Sequence, residues 1–313
     1  MRKRTAFDVE VDGKLLDYRV GDTLDLNSVR TYFSRFYEVF ELTNAGRHVL
    51  GTLMKDGSTY FLKLATTEGI GAVTRNEYLW NDVFLAEHPR DTSEFFVPKN
   101  VEDGMYDSKL YYMVTDVLKG LPLARGPEIG AEVPNLGDYS DRIIRFSEVI
   151  SDLPTPPGPG TVDHRQLFLE KAMSWYDAIP EAVRDKYAVR QTLAIVEAGV
   201  SGLSKKPRHG DFTPWHILDS GDALGLIDGE HYLVNGVEYY DIGYFIQRVF
   251  SVLGNAATAK TLCDKLIGMG YDQKKLRVIL AARAIGGFLD ASLAPEPRYD
   301  VHASFQEFFR TVG

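Results

Sequence analysis

The sequence predicts an α+β protein in two parts, a small antiparallel β-sheet with one helix followed by a larger, mainly helical part. Three observations carry that expectation. Between Tyr37 and Ala65, runs rich in β-branched and aromatic residues are joined by short turn signals, among them Asp56-Gly57, a strong hairpin signal. From about Thr115 onward, segments of helical character follow one another with a single interruption, a hairpin near residues 217–228. The length of 313 residues suits two domains or one large one.

Taken in order, Phe7–Val11 reads as a strand entering the tight turn Asp12-Gly13. Asp25 and Asn27 offer caps for a helix through about Phe36, with Val29, Tyr32, Phe33 and Phe36 on one face. Three strands follow: Tyr37–Leu42, Val49–Met54 and Tyr60–Ala65. A helix is expected from about Ala72 to Ala86, then strands at Phe95–Val97 and Lys109–Val114. Candidate helices then cover roughly 140–151, 164–178, 181–199, 242–254, 257–268, 273–291 and 302–310. Leu153–Gly160 holds four prolines and cannot be helical, so it is expected to be a surface loop or linker.

Composition narrows the function. The 44% apolar and 25% charged content is that of an ordinary globular protein. A net charge of −9 argues against sequence-independent nucleic-acid binding and against an anionic membrane surface. The start Met1-Arg2-Lys3-Arg4 is basic with no apolar run behind it, so it does not read as a signal peptide, and no segment has the length to span a bilayer. The lone Cys263 reads as a small buried hydrophobe, and a cytoplasmic setting is expected.

The stretch that carries chemistry is Arg208-His209-Gly210-Asp211-Phe212-Thr213-Pro214-Trp215-His216, followed by Leu226-Ile227-Asp228-Gly229-Glu230. Asp211 sits on a Gly- and Pro-containing loop that opens into a hairpin, and the hairpin ends in Asp228. Two carboxylates at the same end of a hairpin can face one small volume, one accepting a proton and the other holding a divalent cation. Lys63, between Leu62 and Leu64 on an apolar strand, would need a partner if buried, and Glu77 on the next helix is the candidate.

These residues resemble the aminoglycoside phosphotransferase and choline kinase group, which shares the two-lobed protein-kinase-like fold. His209-Gly210-Asp211 is similar to its catalytic loop, Ile227-Asp228-Gly229-Glu230 to its metal-binding segment, and Tyr240-Asp241-Ile242-Gly243-Tyr244-Phe245 to the element that follows. The match spans roughly residues 37–255. The resemblance implies residues 1–114 as a nucleotide-binding lobe, 115–123 as a hinge and 124–313 as a catalytic and substrate-binding lobe. It implies Asp211 as the group that orients or deprotonates the acceptor hydroxyl, and Asp228 as a Mg²⁺ ligand. Lys63 would meet the nucleotide phosphates, Glu77 would hold it, and backbone groups near Thr115 and Val117 would meet the base. His209 would brace its loop and Asp241 would cap or brace, while Glu230 serves either the metal shell or a cap.

His216 departs from the common pattern, which has Asn there as a second metal ligand. The macrolide phosphotransferase branch resembles this chain in having His, so His216 is a candidate metal ligand although imidazole suits hard Mg²⁺ poorly. The Thr43–Arg47 turn has one glycine, Gly46, which serves a phosphate-covering loop or an ordinary hairpin equally. The implied function is a small-molecule kinase that moves the γ-phosphate of ATP or GTP, with Mg²⁺, to a hydroxyl of an aminoglycoside-, macrolide- or choline-like alcohol. The rival readings are a weak or inactive kinase-like module that binds nucleotide or protein, and a protein kinase. The last fits worse, because His-Gly-Asp replaces His-Arg-Asp and no Ala-Pro-Glu segment follows. Oligomeric state and the acceptor's identity are not written in these residues.

Overall fold

A computed structural model of the chain describes residues 5–90, 92–155 and 163–312. The basic residues 1–4 and residues 156–160 of the proline-rich segment lie outside the described residues. The chain forms two compact units, one of Met1–Leu121 with Leu218–Tyr232, the other of Pro122–Ile217 with Leu233–Gly313. The segment 218–232, expected with the helical part, thus packs with the first unit.

The first part of the chain gives β1 (Asp8–Val11), β2 (Lys14–Asp17), α1 (Leu26–Phe33), β3 (Glu38–Ala45), β4 (His48–Lys55), β5 (Ser58–Ala65), α2 (Glu68–Glu87), β6 (Phe95–Phe96), β7 (Asn100–Tyr106), β8 (Leu110–Asp116) and β9 (Leu121–Pro122). The main sheet has the order β3-β4-β5-β8-β7 with antiparallel neighbours throughout. Strand alternation divides its faces. Leu62 and Leu64 of β5 join Val29 and Phe33 of α1, Val49 and Leu53 of β4 and Val114 of β8 in one core. Lys63 points the other way by the period of two, toward the face that α2 covers with Ile70, Trp80 and Phe84.

Local chemistry starts each helix. Asp25 accepts from the backbone of Asn27 and Ser28 to cap α1, and Thr67 accepts from Ile70 to cap α2. Helix α1 stops at Phe33, so Phe36 is 52% exposed and is not part of the expected face. Phe95–Phe96, expected to belong to the small sheet, instead pairs in parallel with Leu224–Leu226. Strand β7 was not foreseen, because Glu102, Asp103 and Gly104 dilute its apolar pattern.

The remaining elements are α3 (Ser140–Ser151), α4 (His164–Ala178), α5 (Glu181–Lys186), α6 (Val189–Gly199), β10 (Lys205–Arg208), β11 (Ile217–Asp219), β12 (Leu224–Leu226), β13 (Leu233–Val237), α7 (Tyr240–Ser251), α8 (Ala256–Gly268), α9 (Gln273–Leu293) and α10 (Tyr299–Arg310). The single helix expected over 181–199 is two, broken where Ala188 takes a left-handed φ of 48°. In the second unit α9 is buried along most of its length and packs against α4, α6, α7 and α10, the pattern of a central core helix. Strands β10 and β13 pair antiparallel and lead into the His209 loop and into α7. Cys263 is buried on α8, and burial pushes its thiol up to about 12, which suits the small-hydrophobe reading. Among the described residues no helix is long and apolar enough to cross a membrane.

Candidate active site

In the first unit the sheet delivers Lys63 to the α2 face, where its Nζ lies 2.6 Å from Glu77 Oε2, 2.6 Å from Asp228 Oδ1 and 2.9 Å from Glu230 Oε1. The expected Lys63–Glu77 pair is therefore present and is part of a larger network. Arg47 Nη2 reaches Glu230 Oε2 at 2.7 Å, and His48 Nε2 lies 3.0 Å from Glu230 Oε1. Glu230, a candidate for the metal shell or for a cap, turns its carboxylate into this network. It is 1% exposed and braces Lys63, Arg47 and His48.

The electrostatics follow from burial. Burial works against the Lys63 charge, yet Asp228, Glu230 and Glu77 hold the ammonium well above the ordinary lysine range. Burial would also raise Glu230, but Lys63, His48 and Arg47 keep it well below the carboxylate range. Glu77 goes the other way: burial pushes its carboxyl up to about 7 despite Lys63. Burial lowers His48, against the Glu230 carboxylate beside it that favours the charged ring.

Asp228 stands apart from its two neighbours. Its side chain is 26% exposed, against 8% for Glu77 and 1% for Glu230. Its backbone is left-handed, φ 66° and ψ 52°, a conformation that costs a non-glycine residue energy and is held only by its surroundings. Those surroundings include Gly229, where a Cβ would stand 2.4 Å from Cδ1 of the buried Trp80. Gly229→Ala is expected to destabilise the first unit by about 1–3 kcal/mol through overpacking. Denaturant unfolding checks it, and a near-neutral result would mean that Trp80 yields freely.

Glu77, Asp228 and Glu230 bring carboxylate oxygens within 4.8 Å of one another, a hard donor set. All three meet Lys63, and Asp228 differs from the other two in being the more exposed. Mg²⁺ ordinarily takes one or two carboxylates together with substrate phosphates and water, so the residues fit it. Near the segment expected as a hinge, Thr115 pairs with both Phe61 and Asn100 in the sheet, whereas Val117 lies just past β8 and is 47% exposed. Gly46 and Arg47 form the two-residue turn between β3 and β4, with Gly46 at φ 63°.

In the second unit the Asp211 loop is held by its own backbone. Asp241 at the start of α7 accepts from the His209 and Gly210 N–H groups, both at 2.8 Å. The bracing role expected of Asp241 is thus what it does. His209 Nδ1 accepts from the Asp211 N–H at 3.3 Å, a loop contact. His216 Nδ1 lies 3.1 Å from the Asp211 carbonyl oxygen and 3.6 Å from its Oδ2. A carbonyl only accepts, so Nδ1 carries the proton and Nε2 is the basic nitrogen, the tautomer of a His that ligates through Nε2.

Burial pushes Asp241 up to about 6, against the two backbone donors that favour its charged form. A carboxyl raised on folding contributes stability that is full below the unfolded pKa near 4 and lost as pH rises through about 6. The expected loss across that window is about 3 kcal/mol, and it should be absent in Asp241→Asn. Urea unfolding from pH 4 to 7 for both proteins measures it. Equal slopes would show that Asp241 is ionised throughout.

The sequence missed Arg47 and His48, for which no local signal exists, since their partner Glu230 is distant in the chain. It also missed the aromatic and cationic groups around α7 and α9 described below.

These features define an α+β protein of the protein-kinase-like fold. No protein-family model matches the sequence, and no curated protein matches it. Among solved structures the chain is similar to the aminoglycoside phosphotransferase APH(4)-Ia, with 13% identity, 92% of this chain and 98% of that one covered, and a TM-score of 0.64. It is similar to macrolide 2'-phosphotransferase type I at 16% identity, covering 93% and 98%, TM-score 0.58. A third similar structure is the GDP and kanamycin complex of APH(2")-IIia, at 13% identity, covering 91% and 98%, TM-score 0.59. The fold of this chain is that of the aminoglycoside and macrolide phosphotransferases.

Proposed function

We propose that this chain is a small-molecule kinase that transfers the γ-phosphate of ATP or GTP to a hydroxyl of a small acceptor. The observation that carries the reading is the buried Lys63 ammonium, 2.6 Å from both Glu77 and Asp228. An ammonium kept charged on a rigid strand is suited to phosphate oxygens, and Glu77 and Glu230 fix its position. Val117 backbone groups take the base contact more readily than Thr115, whose backbone serves the sheet.

Asp228 would hold Mg²⁺, and His216 Nε2 would serve a metal or phosphate role of its own. Bound there, the cation would neutralise charge on the phosphate oxygens. Asp211 orients the acceptor hydroxyl and takes its proton as the oxygen bonds to the γ-phosphorus and the bond to the bridging oxygen breaks. The rest is positioning. The solved relatives supply the precedent, since one was captured with AMP-PNP and hygromycin B and another with GDP and kanamycin.

The test is transfer of labelled phosphate from ATP and from GTP to a panel of hydroxylated small molecules, with Asp211→Asn as the blank. Transfer to any of them that is lost in the blank supports the reading. A second reading, a nucleotide-binding module without turnover, is favoured by His216 standing where the common pattern has Asn. Mg²⁺-dependent stabilisation by ATP with no transfer to any acceptor would select it.

A further inference from the structure

Helices α4, α7, α9 and α10 of the second unit enclose a polar seam that the roles above leave unused. Arg283 on α9 is 4% exposed. Its guanidinium carbon lies 3.8 Å from the ring centre of Tyr244, 4.8 Å from Trp175 and 5.7 Å from Tyr240, and its Nη1 donates to the Tyr240 hydroxyl at 3.1 Å. No carboxylate among the described residues pairs with it, and its Nε has no acceptor among them. Its neighbour Arg248 differs, being paired with Asp290 at 2.8 Å and with the Tyr244 hydroxyl at 2.6 Å.

The Arg283 guanidinium lies against Gly286, and further buried polar groups of α7 and α10 are unsatisfied. Gln247 is fully buried with both amide atoms unpartnered, and Ser251 Oγ and His302 Nδ1 also lack partners among the described residues. Burial lowers His302 to about 4, so its ring is neutral. The groups meet because α9 has Gly287 there, where a Cβ would stand 2.5 Å from His302 Nδ1 and 3.2 Å from Gln247 Nε2. On the other side, Arg208 lies 3.9 Å from the Tyr240 ring centre.

A buried guanidinium without a counter-ion is costly, and aromatic faces offset only part of that cost. Orphaned buried polar groups are few in native proteins, so several along one seam point to a ligand that satisfies them. Of the acids nearby, Asp290 is engaged by Arg248 and Asp241 by the loop N–H groups, while Asp211, which acts on Tyr244 and Arg248 through its charge, is the group assigned above to the acceptor hydroxyl. Apart from Asp211, the seam therefore has a spare cation and polar groups, and no unengaged acid for a polyamine among the described residues.

We propose that Arg283 anchors an anionic group, a carboxylate or phosphate, on the kinase's acceptor, with Gln247 and Ser251 meeting its polar remainder, so that the acceptor is a small hydroxylated anion and not a polycation. That it is an acceptor rests on the proposed kinase function; the anion site itself does not.

The experiment measures thermal stability of the full chain with glycerate, inorganic phosphate, glycerol and 3-amino-1,2-propanediol at equal ionic strength, in saturating Mg-ADP to cover any nucleotide site. A saturable upward shift is expected with glycerate or phosphate and with neither of the other two. In Arg283→Met the apparent anion affinity should fall at least tenfold, and its Tm without anion should match or exceed that of the unaltered chain, because an unpaired buried charge is gone. Arg283→Lys should retain intermediate anion affinity and serves as the readable variant if the methionine form does not fold. Absence of an anion-specific shift, an equal shift in Arg283→Met, or loss of stability in both variants with unchanged anion binding would overturn the proposal. Failure of the kinase reading shows separately, as no phosphate transfer from ATP or GTP to any hydroxylated acceptor while the Arg283-dependent anion shift stands.

Discussion

Asp211→Asn is expected to lower kcat by roughly 10²–10⁴ while leaving nucleotide affinity and the unfolding midpoint nearly unchanged. The reason is a division of labour within the loop. Its shape is set by Asp241 accepting from the His209 and Gly210 N–H groups and by His209 Nδ1 accepting from the Asp211 N–H. His216 is held by the Asp211 backbone carbonyl, at 3.1 Å. Apart from the 3.6 Å approach of His216 Nδ1 to Oδ2, none of these contacts uses the Asp211 carboxylate. Asn has the same shape, so the loop persists, but it cannot take a proton at neutral pH. Steady-state kinetics beside a denaturant curve separates the outcomes. A stability loss without a rate loss would make Asp211 an ordinary turn residue, and full turnover would remove it from the chemistry.

How much of this was legible in the sequence depends on the range of the forces involved. Local signals served well: the Asp25 cap, the Asp56-Gly57 turn and the β-rich run of β5 mark elements that the structure contains, whereas α2 starts at Glu68 and not near Ala72 because the Thr67 cap went unread. Lys63 could be matched with Glu77 because a lysine between two leucines on a buried strand needs a counter-charge. Arg47 and His48 could not be matched with Glu230, because the pairing depends on the 218–232 segment packing with the first unit, which no local pattern encodes. Arg283 gave no signal for a similar reason. On α9 it is one cation in a helix whose surroundings, Trp175 on α4 and Tyr240 and Tyr244 on α7, come together only through tertiary packing. The break at Ala188 was hidden because 181–199 reads as helix throughout, with no glycine or proline between Pro180 and Gly199 to mark it.

Lys63→Met is expected to be the most destabilising single change in the first unit, at about 3–5 kcal/mol, because it removes one partner of a buried ionic network and strands the others. Glu77, Asp228 and Glu230 would then share Arg47 alone as a fixed cation. The loss should depend on pH with a defined sign. Without the ammonium Glu77 is raised further on folding and Glu230 loses the charge that does most to hold it down, so the variant regains stability as pH falls and these groups protonate. Adding Glu77→Gln to Lys63→Met removes one stranded charge and should recover part of the loss, with a coupling energy of about 0.5–3 kcal/mol in the double-mutant cycle. Stabilisation by Mg-ATP should not return in that double variant, since the group proposed to meet phosphate is still missing. Recovery of both stability and nucleotide binding would assign Lys63 to architecture alone, whereas recovery of stability without binding separates what the ammonium does for the fold from what it does for the phosphate.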